Sequence, residues 1–133
     1  MRGSIHHLDL TVKDPWASRE FYAQVLGFMG YRQIAEDDRG FDFAIPGHSP
    51  SVGLKAAEGP NRERAHDRYS PGLHHLAWRA QSRADVDGLY GLLLRTGATI
   101  LDAPADYPQY GDGYYAVFFS DPDGLKLEFV FEP

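Results

Sequence analysis

Cysteine is absent from this chain, which excludes a disulfide framework, a thiol nucleophile and thiolate metal ligands. Long apolar runs are missing too: no stretch approaches the roughly 18 residues that a membrane-spanning helix needs. Nor does a secretory signal pattern open the sequence, so the expectation is a cytoplasmic protein with no membrane partner. Positive charge is also scarce. Thirteen Lys and Arg against 19 Asp and Glu leave a formal net charge of −6, and no local basic stripe offsets it, which argues against nucleic acid as a partner. The opening "MRGSIHH" has the look of an affinity tag, but only two histidines precede "LDLTV", and the segment is read as native. What is present is an ordinary globular composition. With 133 residues, 43% hydrophobic and 24% charged, the chain is long enough for a single domain over 1–133 whose core needs no cross-links.

The most informative feature is an internal repeat. "IHHLDLTV" (residues 5–12) returns as "LHHLAWRA" (residues 73–80), each a short alternating strand. A helix-start signal follows each: Asp14-Pro15 supplies an N-cap and a first-turn proline, and "SRAD" (residues 82–85) a variant of the capping box. Apolar residues then recur at helical spacing, Phe21, Tyr22, Val25 and Leu26 in the first helix and Val86, Leu89, Tyr90, Leu93 and Leu94 in the second. Gly27 and Gly97 stand where C-cap glycines are expected. Further strand candidates are "GYRQIAE" and "FDFAIP" in the first half, "GATILDAP" and "YYAVFFS" in the second, and the triplet Gly-Leu-Lys closes each half at 53–55 and 124–126. Two βαβββ modules are therefore expected, 4–57 and 73–132, joined by a polar, turn-rich linker over 58–72.

Strand parity then assigns faces. Leu8, Leu10 and Val12 form one row of the first strand, with His7, Asp9 and Thr11 opposite. Leu76, Trp78 and Ala80 form the matching row after the repeat, with His75, Ala77 and Arg79 opposite. In the closing "DPDGLKLEFVFEP", Leu125, Leu127, Phe129 and Phe131 share a face, and Lys126, Glu128, Val130 and Glu132 the other. Two imidazoles and a carboxylate thus occupy corresponding faces of three strands, a non-sulfur donor set for a divalent metal that leaves coordination positions open. His6 and His74 fall on the apolar rows and read as core or rim histidines.

"HHLDLTVKDPWASREFYAQVLGF" and "LHHLAWRA…DPDGLKLEFV" resemble the vicinal oxygen chelate superfamily, which contains glyoxalase I, extradiol dioxygenases, fosfomycin-resistance enzymes and methylmalonyl-CoA epimerase. The resemblance spans nearly the whole chain. It implies an α+β fold in which two βαβββ modules form a cupped, partly open eight-stranded mixed sheet with helices outside. It also implies a divalent ion (Fe, Mn, Ni or Zn) held by His7, His75 and Glu128, a small-molecule substrate bound through vicinal oxygens, and a homodimer.

The reaction stays open at this level. Glyoxalase I usually takes a fourth ligand from the end of the first module. Aligning the Gly-Leu-Lys triplets puts Ala57 in that place, and aligning Pro50 with Pro122 puts Ala56 there; neither binds a metal, and the nearby Glu58 points to the other face unless a bulge intervenes. Asp9 stands where fosfomycin-resistance enzymes carry a neutral hydroxyl residue. The acid–base histidine of an extradiol dioxygenase has only the loop candidates His48 and His66. Asp9, two residues from His7 on one face, is expected to act as a general base or to orient a ligand, or else to pair with Arg79; Arg79 and Tyr114 complete the candidate catalytic set. The segment "DAPADYPQYGDGYY" reads as a rim or lid carrying Tyr107, Tyr110 and Tyr114 toward a planar substrate. The non-catalytic alternative is a metal-free small-molecule or antibiotic-binding protein of the bleomycin-resistance type.

Overall fold

Strand, helix and three further strands follow one another in each half of the chain. The computed structural model describes residues 1–133, which divide into unit one, residues 1–64, and unit two, residues 65–133. The linker expected over 58–72 is therefore shared between the two. Unit one contains β1 (His7–Val12), α1 (Pro15–Phe28), β2 (Arg32–Asp37), β3 (Gly40–Ala44) and β4 (Ser51–Ala56). Unit two contains β5 (Leu76–Arg79), α2 (Arg83–Arg95), β6 (Thr99–Asp106), β7 (Tyr115–Ser120) and β8 (Lys126–Phe131). The class is α+β, and the eight strands form two four-stranded sheets, ordered β1-β4-β3-β2 and β5-β8-β7-β6. In each sheet the first strand runs parallel to the last, and the other pairings are antiparallel.

Each helix covers one face of its own sheet with the side chains that the 3.6-residue period selects. Tyr22, Val25 and Leu26 of α1 are buried with Leu10, Val12, Phe41, Phe43, Val52 and Leu54. Val86, Leu89 and Leu93 of α2 are buried like Val117, Phe119, Leu127 and Phe129 of their sheet, whereas Leu94, on the edge of the apolar stripe, is 56% exposed. The Asp14 carboxylate accepts from the Trp16 and Ala17 amides and starts α1; the Ser82 hydroxyl accepts from Asp85 N and starts α2.

The helix ends are copies of each other, but not at Gly27. Helix α1 continues through Gly27 to Phe28, and Gly30, at φ +94°, makes the left-handed turn that Gly97 makes at φ +70° after α2. In both, the amide after the glycine returns to a carbonyl five residues earlier (Tyr31 N to Leu26 O, Ala98 N to Leu93 O), which satisfies the last orphan acceptors. Gly27 keeps the helix going because its neighbours Val25 and Leu26 are already anchored in the core.

Before β8, the Asp121 carboxylate accepts from the amides of Asp123 and Leu125, and Gly124 takes φ +85°. The "DPDG" stretch is therefore a side-chain-capped turn that fixes where β8 begins. That in turn fixes which β8 residues reach the face away from α2.

Candidate functional site

The face of the unit-two sheet away from α2 carries a buried carboxylate. Glu128 on β8 pairs in register with Ala77 on β5 and with Phe118 on β7, so the three share that face. Glu128 is only 2% exposed, although a carboxylate in a β-strand core is costly unless its oxygens find donors. Both do. Oε2 lies 3.0 Å from Nε2 of His75, at the mouth of β5, and Oε1 accepts a short hydrogen bond from the Tyr114 hydroxyl. Tyr114 ends the turn between β6 and β7, which is closed by its own main-chain bonds: Tyr107 N to Tyr114 O, Tyr110 N to Tyr107 O and Tyr114 N to Gly111 O.

An aromatic wall stands over the same face. Tyr107 stacks on Tyr110 with centroids 5.6 Å apart, and both meet Tyr114 edge-on. Tyr107 also meets Phe118 edge-on at 5.4 Å, and His75 lies 6.5 Å from Phe118. Lys126, two residues before Glu128 on the same face, holds its ammonium over the Phe118 ring at 4.5 Å. Burial first, and then the bond to Glu128, push the Tyr114 phenol well above its ordinary value; burial, then Asp102, raises Tyr107. Tyr115 is raised chiefly by its bond to Asp87.

These shifts carry a pH prediction. A phenol whose folded pKa exceeds the unfolded value of 10.0 contributes stability that is present below that value and lost as pH rises through the folded pKa. In a phenolate absorbance titration, Tyr107, Tyr114 and Tyr115 should ionise above the range of an unperturbed phenol, and alkaline unfolding should accompany them. All eight tyrosines ionising together in that range while the fold persists would contradict this.

His74 and His75 face each other through their Nδ1 atoms at 2.7 Å, one ring donating and the other accepting. His6 and His7 repeat the arrangement in unit one at 3.0 Å. In both pairs Nε2 of the second histidine is left to other partners. The pKa of His74 is lowered, first by desolvation and then by its neighbours His75, Lys126, Arg68 and His66. His6 and His74 are exposed, which fits the rim reading and not the core one, because β1 begins only at His7 and β5 at Leu76.

Unit one carries its acid elsewhere on the equivalent face. The β1–β4 register pairs Asp9 with Gly53, as the β5–β8 register pairs Ala77 with Glu128. Gly53 is thus the counterpart of Glu128, and the alignment that put Ala57 or Ala56 there is corrected. The matching triplets misled because Gly53 sits inside β4 whereas Gly124 belongs to the turn before β8. A methyl group at Gly53 would come within 2.7 Å of Asp42 Oδ1 and closer still to Asp9 Oδ1; the two carboxylates occupy the space a side chain would need. Lys55 binds Asp42 at 3.0 Å, and its pKa is raised first by that bond and further by Asp9. Arg79 in unit two donates to the main-chain oxygen of Glu132 at 3.2 Å.

Of the sequence candidates, the structure brings His75, Glu128 and Tyr114 together. It sets Asp9 beside Asp42 and Lys55, leaves His7 with His6, and turns Arg79 to the main chain of β8's end. Sequence reasoning missed Phe118, Lys126 and the bond from Tyr114 to Glu128. Parity along β7 carried a signal for the first, since Phe118 alternates with the helix-facing Val117 and Phe119.

Comparison with known proteins agrees with this architecture. The sequence profile of the Glyoxalase/Bleomycin resistance protein/Dioxygenase superfamily matches residues 4–129. The chain is 33% identical over 126 residues to the uncharacterised protein YqjT of Bacillus subtilis (strain 168), covering 95% of this chain and 97% of that one. A solved structure from Bacillus halodurans, provisionally assigned as a glyoxalase, superposes with a TM-score of 0.83 at 30% identity, covering 98% and 97% of the two chains. A glyoxylase/bleomycin resistance protein/dioxygenase domain from Frankia sp. EAN1pec superposes with a TM-score of 0.79 at 24% identity, covering 100% of both chains.

Proposed function

Because this chain belongs to the Glyoxalase/Bleomycin resistance protein/Dioxygenase superfamily, we propose that it is a metal-dependent enzyme acting on a small substrate through vicinal oxygens. The proposed metal donors are His7, His75 and Glu128. The observation that carries this reading is the buried Glu128 carboxylate, 2% exposed and 3.0 Å from the His75 imidazole. A carboxylate and an imidazole converging on a sheet face, with no thiolate in the chain, suit a borderline or hard divalent ion.

When bound, such an ion supplies Lewis-acid stabilisation to negative charge developing on the substrate oxygens. The remaining roles belong to side chains. Asp9 accepts a proton from the substrate, Arg79 offers positive charge near its end of β5, and Tyr114 steadies Glu128 through its hydroxyl. His74 holds the ring of His75 through Nδ1, which fixes the tautomer of a nitrogen ligand.

A second reading has its own support. Tyr114 already engages one Glu128 oxygen. A metal-free small-molecule binder of the bleomycin-resistance type would look like this. Turnover by metal-reconstituted protein, screened against catechols, hemithioacetals and epoxides, separates the two. Turnover that disappears on chelation supports the enzyme; high-affinity binding of a small molecule with no turnover supports the binder.

The proposed assembly is a homodimer. The edge strands β1 and β2 of one sheet and β5 and β6 of the other each lack a neighbour on one side, and proteins commonly cover such edges. Sedimentation should find two chains at micromolar concentration, and a monomer there would contradict it.

A further inference from the structure

The ring-lined face of unit two is also polarised. At one end the acids Asp102 and Glu132 lie near the tyrosines, since Asp102 raises Tyr107 and Glu132 contributes to raising Tyr114. At the other end lie Lys126, His74, Arg68 and His66. Contacts link part of this end: the Arg68 guanidinium donates to the Tyr69 hydroxyl at 2.9 Å, Tyr69 meets His74 edge-on at 5.9 Å, and His74 meets His75 through Nδ1.

In a chain of net charge −6, Glu128, the carboxylate bonded within this cluster, is already held by His75 and Tyr114. Lys126 and Arg68 take part in none of the ion pairs of the structure. Lys126 rests instead on the Phe118 ring, and a cation–π contact is a weaker partner than a charged hydrogen-bond acceptor. Asp67, in the same stretch, is engaged by Tyr69 N and the Ser70 hydroxyl. Nδ1 of His66 is buried with no hydrogen-bond partner, an unmet polar atom in the same segment.

We propose that unit two binds a planar aromatic anion such as an aryl carboxylate, its ring against Phe118 and Tyr107 and its negative group at Lys126 and His74. This names a substrate class for the site proposed above and rests on that reading only for its catalytic meaning. The ring wall accounts for the planar part. The unpaired ammonium fixes the charged part at the end away from Asp102 and Glu132, so the ligand has one orientation.

Calorimetric titration of the full chain with benzoate, benzyl alcohol and acetate tests it, before and after treatment with EDTA. Benzoate should bind at least about tenfold more tightly than either fragment, the factor expected when a charge-assisted hydrogen bond is added to ring burial. Lys126→Gln, at a half-exposed position, should bring benzoate down to the level of benzyl alcohol and leave benzyl alcohol itself unchanged. Both results should persist in EDTA-treated protein. Benzoate binding no better than acetate, or unaffected by Lys126→Gln, overturns the proposal. Benzoate binding that depends on metal but not on Lys126 overturns it too, while leaving the metal reading intact. Lys126-dependent binding in protein that never takes up metal supports the anion site and counts against the metal reading alone.

Discussion

Glu128→Gln should lower divalent-metal affinity by more than about 100-fold while the chain remains folded. The substitution keeps the shape of a side chain that is 2% exposed and can still accept from Tyr114, so the packing of β8 against β7 is preserved. What it removes is the negative charge of the one carboxylate in the proposed donor set. Loss of outer-shell partners typically costs 10–100-fold in metal affinity, and loss of a donor's charge should exceed that. Turnover should fall with occupancy and be partly restored by excess metal. A Glu128→Gln protein with wild-type affinity would remove Glu128 from the donor set.

Asp9→Asn should separate chemistry from metal binding. If Asp9 takes the substrate proton, turnover should drop by about 10²–10⁴-fold with metal content unchanged. The neutral amide also removes one of the two acids crowded over Gly53 and weakens the field that helps hold the Lys55 ammonium. Lys55 keeps its direct bond to Asp42, so the fold should lose little, as for an exposed charge change. Full activity in a metal-loaded Asp9→Asn protein would leave substrate polarisation without a base at this position.

Much of this was legible because strands alternate. Parity alone put His75, Ala77 and Arg79 on one face and Lys126 and Glu128 on another, and the sheet brings Ala77 opposite Glu128. The repeat placed both helices, since capping side chains and apolar spacing are local signals. Register was not legible. Which β4 residue corresponds to Glu128 depends on hydrogen-bond pairing between strands distant in sequence, and a literal Gly-Leu-Lys match pointed past Gly53. The bond from Tyr114 to Glu128 was hidden for the same reason: it needs the antiparallel pairing of β7 with β8 and the closed turn that returns Tyr114 over the sheet. The end of α1 was misjudged because Gly27 and Gly30 are both plausible stops, and anchoring of Val25 and Leu26 in the core decided between them.

Elemental analysis of the full chain, loaded with excess divalent metal and then gel-filtered, tests the central claim most directly, with His7→Ala and His6→Ala beside the wild type. The wild type and His6→Ala should each retain about one ion per chain, and His7→Ala should retain far less, as expected when one of three donors is removed. A wild-type chain that retains no ion, or a His7→Ala chain that retains as much as the wild type, would contradict the account.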